Sequence, residues 1–201
     1  RSYKHETVEQ LARYSSVPVI NALTDYSHPC QALADILTVQ EECGSLEGRH
    51  VVFVGDANNV ARSLAIVCGK LGVRFTLACP EAYQFTAEQK LEIENGCEGF
   101  QFEQLTDVAV AVADADAIYT DVWASMGQEK EQKQREQDFA AFQVNQSLMQ
   151  TAPDSAIFLH CLPARRGQEV TDDVLDGPQS RVVAQAGNRM HAQKGLLVWL
   201  L

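Results

Sequence analysis

Residues 50–72 read HVVFVGDANNVARSLAIVCGKLG, and this stretch decides the fold. Its first six residues (50–55) form a short apolar run, which predicts a buried strand of a parallel sheet. Four polar residues follow, and apolar residues then recur at helical spacing over 60–71 until Gly72 ends the pattern. A buried strand that leads at once into an amphipathic helix is the repeating unit of α/β proteins.

The same alternation extends along most of the chain. Apolar runs predict further strands, and periodic segments bounded by Gly, Pro or a capping residue predict helices between them. The predicted strands are 74–78, 100–103, 117–121, 156–159 and 181–185, and the predicted helices are 86–95, 106–113, one or two within 139–151, 172–175 and 190–201. Residues 122–133 are predicted to form a long polar loop. This order predicts a right-handed, doubly wound parallel sheet of Rossmann-like type, with helices on both faces.

The leading residues fit that pattern less well. A helix is predicted at 7–14, a short strand at 18–21 and a longer amphipathic helix at 29–43. We interpret this segment as the end of a second α/β domain whose last helix crosses into the main one. The expected division is 1–44 for that segment, 45–187 for the sheet domain and 188–201 for a helix returning to the first domain.

The composition restricts the classes of partner. The 201 residues include 16 Lys and Arg against 27 Asp and Glu, which gives a formal net charge of −11. We therefore expect no nucleic-acid and no anionic membrane partner, because both need a basic surface. No apolar run approaches the ~20 residues that span a bilayer. The six cysteines lack CxxC spacing and residues 1–9 are polar, unlike a secretory leader, so we expect free thiols in a reducing, cytoplasmic compartment.

Three polar segments follow predicted strands: 56–59, 121–127 and 160–163. In an open parallel sheet, ligands bind beyond the carboxyl ends of the strands, so we expect all three on one edge. The first segment has one glycine where a dinucleotide fingerprint needs three, which argues against a nucleotide-binding oxidoreductase. Asp56 and Asn58 can simply turn the chain and cap the helix, or an Asn amide can contact a small polar substrate.

The other two segments also allow two interpretations each. Asp121 is either a turn residue at the end of a strand or a carboxylate that pairs with a substrate ammonium group. Cys161, next to His160, is either a packed thiol or one that contacts a ligand or acts as a nucleophile. A nucleophilic triad has little support because no Gly-rich elbow is present, and the His and Cys spacings match no recognised zinc motif.

Basic and polar residues outside these segments are further candidates. Pro29 suits the first position of a helix, so His28 is either a plain cap or, with Gln31 one turn on, part of an anion-friendly helix N-terminus. Arg189 is predicted to follow a strand and to start a helix, from where it reaches the same edge. The pair Arg165-Arg166 is typical of a solvated surface.

Five segments together resemble the carbamoyltransferase family. They are HPCQ (28–31), FVGDANN (53–59), DVWASMGQE (121–129), HCLP (160–163) and QAGNRMH (185–191), in the family's order. The DxWxSMGxE and HCLP pair is specific for the ornithine branch over the aspartate branch. The resemblance runs from Arg1 to Leu201.

The resemblance implies a fold and a reaction. Members have one domain for carbamoyl phosphate and one for the amino acid, joined by two crossing helices, which would be 29–43 and 190–201 here. They form trimers with active sites near subunit interfaces. The implied reaction transfers the carbamoyl group of carbamoyl phosphate to the δ-amine of L-ornithine, in arginine metabolism, and needs no metal or organic cofactor.

The resemblance also implies roles for single residues. His28 and Gln31 match the positions that hold the carbamoyl group, and Arg1 and Arg189 match contacts to carbamoyl phosphate. The matches to the α-amino and carboxylate contacts of the amino acid are Asn59, Asp121, Ser125 and Met126, and those near the δ-amine are Cys161 and Leu162. Cys161 would act as a base or would favour the uncharged amine through its environment.

One motif of the family is missing. Its main phosphate-binding loop reads Ser-x-Arg-Thr-Arg, and by the family's layout this loop precedes Arg1. We therefore expect the chain to be the second half of such an enzyme and to be inactive alone. The alternatives are a non-catalytic half chain or paralogue that binds an amino acid, and a related transferase acting on N-acetylornithine or putrescine.

Overall fold

The computed structural model describes residues 1–124 and 129–201. Five strands form one sheet: β1 (His50–Val54), β2 (Arg74–Ala78), β3 (Phe102–Leu105), β4 (Ala117–Thr120) and β5 (Ile157–His160). The α-helices in these ranges are α1 (His5–Tyr14), α2 (Pro29–Cys43), α3 (Asn59–Lys70), α4 (Ala87–Glu94), α5 (Val108–Val112), α6 (Gln132–Asp138), α7 (Gln146–Met149), α8 (Asp172–Leu175) and α9 (Val182–Leu200). Short 3₁₀ turns lie at Glu81–Tyr83, Glu129–Glu131 and Ala140–Phe142.

The sheet is parallel throughout, with strand order β3-β2-β1-β4-β5. The chain moves outward from β1 to β3 and then returns to β4 on the other side of β1. With right-handed crossovers, this reversal places α3 and α4 on one face and α5 and α7 on the other. The observed packing agrees, because α3 contacts α4 while α5 contacts α7. The prediction of a doubly wound sheet is confirmed.

The middle of the sheet is the core. All residues of β1, β4 and β5 are buried, which explains why these strands read as unbroken apolar runs. Phe53 of β1 stacks on Tyr119 of β4 with ring centroids 5.3 Å apart. Burial on this scale fixes the carboxyl ends of β1 and β4 side by side, and this is where the strand order reverses.

Helix α2 lies between α3 and α9 and joins the leading segment to the sheet. Pro29 occupies its first turn, as the sequence predicts, and Gly44 follows its last residue with φ 78°. Polar side chains tie α2 to α9: Asn188 donates to the Thr38 hydroxyl at 3.0 Å. Helix α1, by contrast, buries none of its residues.

The sixth predicted strand, 181–185, is wrong. Residues of this segment start α9, after one parallel bridge between Ser180 and Phe158 of β5. Two adjacent valines favour a strand locally, but Val182 and Val183 lie in the first turn of α9, which packs on α2. The expected boundary between 187 and 188 therefore falls inside one continuous helix.

Two smaller predictions also fail. Residues 18–21 are irregular, and Val19 and Ile20 are about one-third exposed, with no strand beside them in the described ranges. The predicted loop 122–133 is interrupted by a 3₁₀ turn and by the start of α6. In the part of the chain that the structure describes, no helix has the length and apolar character that crossing a membrane requires.

Candidate active site

A cleft of about 1090 Å³ opens at the carboxyl ends of β1, β4 and β5. The polar segments that follow these three strands line one wall, as the parallel topology predicts. The leading segment, up to His28 just before α2, lines the opposite wall, and α9 adds Arg189. The cleft therefore lies between the sheet and the residues that precede it in the chain.

Asp121 follows β4 at the floor of the cleft and is 8% exposed. Its Oδ1 accepts from the backbone N–H of Val122 at 2.8 Å and from the Cys161 thiol at 2.9 Å. Its Oδ2 accepts from the amide of Asn58 at 3.0 Å. All three neighbours are donors, so the group in the centre must be an acceptor, as a carboxylate is.

Asn58 is the N-cap of α3. Its side-chain oxygen accepts from the backbone N–H groups of Val60 and Ala61, both at 2.9 Å. The capping interpretation is thus confirmed for Asn58, whose amide also holds Asp121. Asn59 faces the leading segment instead and donates to the carbonyl of Thr24 at 2.6 Å.

The loop after β5 is held by His160. Leu162 donates its backbone N–H to His160 Nδ1 at 2.8 Å, so Nδ1 is the unprotonated nitrogen. The proton is then on Nε2, which donates to the buried carboxylate of Glu169 at 3.2 Å. Leu162 has φ 56° and precedes a cis bond to Pro163. This fixed ring sets the path of the backbone on both sides of Cys161.

Asp121, His160 and Cys161 bring metal-ligand atoms within 4.8 Å of one another. Both ring nitrogens of His160 are already engaged, which leaves too few ligands for a tetrahedral zinc site. Burial raises the pKa of the Cys161 thiol well above its ordinary value, and the neighbouring Asp121 carboxylate adds to the effect. The thiol is therefore protonated near neutral pH and is a hydrogen-bond donor here.

Arg189 and His28 form the basic side of the cleft. Arg189 donates to the Gln31 side-chain oxygen, while its buried Nε has no partner among the described residues. Gln31 in turn donates to Asp35 at 2.7 Å. Gln31 is 1% exposed and lies behind Arg189, away from the cleft wall. It positions the guanidinium group.

His28 precedes α2, and its backbone N–H donates to the Ser63 hydroxyl at 2.7 Å. Burial lowers the pKa of its imidazole to about 4, and the positive charges of Arg189 and Arg1 act in the same direction. His28 is therefore neutral at pH 7 and presents one N–H and one lone pair.

We expect the His28 ring to titrate near pH 4 in an NMR pH titration of the 201-residue chain. The lowered pKa means that the ring gains its proton only as the pH falls through about 4. Arg189→Met should raise this pKa by removing a nearby cation, while Arg13→Met, on the exposed helix α1, should leave it unchanged. A midpoint at the ordinary histidine value of ~6.5 in the wild type would contradict this assignment.

The structure thus brings most of the predicted site residues to one cleft. Those lining it are Arg1, His28, Asn59, Asp121, Cys161, Leu162 and Arg189. Gln31 lies behind them, and Ser125 and Met126 lie outside the described residues. Arg189 stands within α9, and not at a strand end as expected. The sequence places these residues far apart, and the topology alone makes them neighbours.

Two arginines in the cleft, Arg62 and Arg135, were missed, and Arg165 lines it as well, although the sequence suggests a solvated surface residue. Arg135 of α6 is 6% exposed and binds Asp56 at 2.8 Å, which explains why Asp56 is not a cap. Arg62 of α3 lies over the Tyr26 ring, 4.1 Å from its centroid. Arg135 lies in a run of charged and amide side chains that is typical of a solvated surface. The hydrophobic pattern therefore gives no indication that Arg135 is buried. Arg166 binds Asp172 and Asp176 at the surface, in keeping with a solvated residue.

Comparisons with known proteins assign the chain to a family. The Asp/Orn binding domain of the aspartate/ornithine carbamoyltransferases matches residues 47–200, and the carbamoyl-P binding domain matches residues 1–41. The chain belongs to the aspartate/ornithine carbamoyltransferase family. The first of these matches covers the whole sheet, and the second covers the leading segment and most of α2.

Named relatives and solved structures agree with this family. The chain is 54% identical over 203 residues to "Ornithine carbamoyltransferase" of Pyrococcus abyssi, covering 100% of this chain and 64% of the relative. The structure of the Pyrococcus furiosus ornithine carbamoyltransferase has a TM-score of 0.94 at 53% identity, covering 100% of this chain and 64% of that one. "Ornithine Transcarbamoylase" of Giardia lamblia has a TM-score of 0.89 at 31% identity, with 98% and 67% covered.

The sequence is shorter than these relatives. It spans about 64% of the length of the Pyrococcus abyssi protein. Residues 47–200 of the sequence match the Asp/Orn binding domain, and residues 1–41 match the carbamoyl-P binding domain.

Proposed function

We propose that this protein acts in the transfer of a carbamoyl group from carbamoyl phosphate to the δ-amine of L-ornithine, giving L-citrulline and phosphate. The observation that carries the proposal is the cleft itself: a buried carboxylate, Asp121, lines the same cleft as a basic wall that holds the guanidinium groups of Arg1 and Arg189 and the neutral imidazole of His28. One wall suits an amino acid with a free ammonium group, and the other suits an anion.

Asp121 supports the acceptor side of the proposal. A carboxylate that already orders three donors is held rigidly, and we propose that it pairs with the α-ammonium of ornithine. Anchoring that end leaves the δ-amine as the group that reaches the carbamoyl carbon. Asn59, Ser125 and Met126 would complete the contacts to the α-amino and carboxylate groups.

The basic wall supports the carbamoyl side. In the reaction the amine nitrogen attacks the carbamoyl carbon, the carbon–nitrogen bond forms, and the bond to the phosphate oxygen breaks. Negative charge grows on the carbonyl oxygen and on the departing phosphate, and fixed donors stabilise such charge. We assign neutral His28 and Arg1 to the carbonyl oxygen and Arg189 to carbamoyl phosphate. We propose that Gln31 orients the carbamoyl group through its bond to Arg189.

We propose that Cys161 and Leu162, which line the cleft, lie near the δ-amine of ornithine. Because the thiol keeps its proton near neutral pH, we favour a role for Cys161 in the environment of the amine over a role as a free thiolate base. A buried, neutral surrounding favours the uncharged form of an amine, and only the uncharged amine is nucleophilic.

A relative's name supports the direction of the reaction, while the assembly and the location are proposals that rest on the family resemblance and on the cysteines. The Pyrococcus furiosus relative carries the name "Ornithine carbamoyltransferase, anabolic", so we propose the biosynthetic direction, towards arginine. We propose a homotrimer, or a multiple of trimers, for the complete protein. A reducing, cytoplasmic compartment suits the six free cysteines. The division into 1–44, 45–187 and 188–201 remains our proposal for the domains.

The test joins the chain to the part of the Pyrococcus furiosus enzyme that it does not cover. This chimera should form citrulline from carbamoyl phosphate and ornithine, whereas residues 1–201 alone should show negligible turnover. N-acetylornithine and putrescine serve as competing acceptors and should react poorly. If the chimera binds carbamoyl phosphate in calorimetry and still forms no citrulline, the proposal is wrong, and a non-catalytic binding role is favoured.

A further inference from the structure

Behind the residues that line the cleft lies a buried carboxyl group to which the proposed reaction gives no role. Asp35 of α2 is fully buried. Its Oδ1 accepts two hydrogen bonds, from the side-chain amide of Gln31 at 2.7 Å and from that of Gln185 at 2.6 Å. Both glutamines are buried as well. One oxygen atom therefore holds a side chain of its own helix and a side chain of α9.

The first glutamine leads from Asp35 to the basic wall. Gln31 gives its NH2 group to Asp35, so its carbonyl oxygen points the other way and accepts from the Arg189 guanidinium group. A flipped amide would set its NH2 group against the guanidinium, donor against donor, and its oxygen against the carboxyl oxygen. Asp35 thus fixes the orientation of Gln31, and Gln31 fixes that of Arg189.

The second glutamine leads from Asp35 to the wall formed by the sheet. Gln185 also gives its NH2 group to Asp35, and its carbonyl oxygen accepts from the backbone N–H of His160 at 2.9 Å. His160 is the last residue of β5, and Cys161 and Leu162 follow it in the cleft wall. The acceptor oxygen of Asp35 therefore sets the point from which this loop leaves the sheet.

Resting on the proposed function, we propose that Asp35 is a positioning residue that holds the two walls of the cleft at a fixed distance from each other. Its contacts form one buried network, called here the Asp35 network. The members are, in order, Arg189, Gln31, Asp35, Gln185 and the backbone N–H of His160.

Both ends of the Asp35 network reach groups that the proposed reaction uses. By the assignments above, Arg189 meets carbamoyl phosphate, and the loop after His160 lies beside the δ-amine. Holding both from one atom keeps the amine and the carbamoyl carbon at reacting distance. A displacement of about 1 Å between reacting groups can cost about a hundredfold in rate, so the effect of this role is large enough to measure.

The role requires an acceptor oxygen at this position and does not require a charge. A carboxyl group keeps Oδ1 as an acceptor whether or not it carries a proton. The other oxygen, Oδ2, has no hydrogen-bond partner within residues 1–124 and 129–201. In Asp35→Asn the amide oxygen can replace Oδ1 while the NH2 group replaces the unpartnered atom. Asp35→Leu has a similar size and removes the acceptor, so the two variants form a matched pair.

The first experiment tests the Asp35 network without substrate, by NMR hydrogen exchange on the 201-residue chain. In Asp35→Leu the side chain of Gln185 is no longer held. We expect the His160 amide to exchange at least about tenfold faster, relative to the Phe53 amide in the central strand β1. Asp35→Asn should keep the wild-type ratio within about twofold. An equal change at both amides would be a general loss of stability and would overturn the proposal.

Thr38→Val is the control for the contact between the two helices. Thr38 is fully buried on α2, and its hydroxyl accepts from Asn188 of α9 at 3.0 Å. Valine has nearly the same shape and removes a hydrogen bond between the same helices, outside the Asp35 network. It should lower stability by about 1 kcal/mol and leave the exchange ratio, and the kinetics of the chimera, within about twofold of the wild type. A shift as large as that of Asp35→Leu would overturn the special role of Asp35.

The second experiment measures steady-state kinetics in the chimera. Asp35→Leu should lower kcat/KM for ornithine by about a hundredfold, whereas Asp35→Asn should stay within about threefold of the wild type. Unchanged kinetics in Asp35→Leu would overturn the proposal. An equal loss in both variants would also overturn it, because the charge and not the acceptor oxygen would then be what matters.

Two further variants each cut one side of the Asp35 network, and they decide the question if Asp35→Leu does not fold. Gln185→Met should lower kcat/KM for ornithine by about tenfold, with the affinity for carbamoyl phosphate in calorimetry changed by less than about twofold. Gln31→Met should instead weaken carbamoyl phosphate binding by about tenfold. Unchanged values in both variants would overturn the proposal. An inactive wild-type chimera would refute the proposed function, while the exchange ratio still decides whether Asp35 holds the loop.

Discussion

Asp121→Asn in the chimera is expected to reduce kcat/KM for ornithine by about a thousandfold, which corresponds to ~4 kcal/mol. Two causes combine. The charge that would meet the α-ammonium is lost, and one acceptor oxygen becomes an NH2 group that faces a donor. The donors at this position are Asn58, Val122 and Cys161, so at least one of the observed hydrogen bonds must break.

Steady-state kinetics with varied ornithine measure this effect, and calorimetry should show carbamoyl phosphate binding retained. Glu103→Gln makes the same chemical change at an exposed position of β3 and should leave the kinetics as they are. Unchanged ornithine kinetics in Asp121→Asn would remove Asp121 from the substrate contacts. If the variant lost the binding of both substrates, the substitution would have disrupted the structure of the cleft instead.

Glu169→Ala is expected to lower the free energy of unfolding of the 201-residue chain by about 3 kcal/mol or more. Glu169 is fully buried, and its Oε1 accepts from His160 Nε2 and from the backbone N–H of Arg165. Alanine leaves both donors buried without an acceptor and also leaves a cavity. The ring that holds Leu162 then has no anchor on its far side.

Urea unfolding measures this change through the transition midpoint and its slope. Glu169→Gln keeps an acceptor oxygen and should cost about 1 kcal/mol. Glu98→Ala, at an exposed turn, should stay within about 0.5 kcal/mol of the wild type. If Glu169→Ala also fell within that range, His160 and Glu169 would not be what holds the loop in place.

The helices and strands with strong local sequence signals were predicted with the correct bounds. The predicted bounds of β2, α2 and α8 agree with the structure, because Pro, Gly and unbroken apolar runs mark their ends. The start of α9 was mistaken for a strand because the valines that begin it favour either structure. What decided between them is the packing of α9 on α2, to which the local sequence gives no clue.

Part of the cleft could also be predicted from the sequence. Parallel topology alone brings the segments after β1, β4 and β5 together, so the positions of Asp121 and Cys161 followed from the strand order. The position of Gln31 did not follow, because its partner Arg189 is 158 residues away in sequence. Arg135 was missed for a related reason: its partner Asp56 lies 79 residues away.

The pairing of α2 with α9 also sets the order in which the chain can fold. Gln31, Asp35 and Thr38 each have a further partner in residues 185–189, which a ribosome makes about 150 positions later. Until then the inner face of α2 lacks these partners, and closing so long a loop costs entropy before any contact forms. We therefore expect the basic wall of the cleft to be completed late in biogenesis, after the sheet has formed.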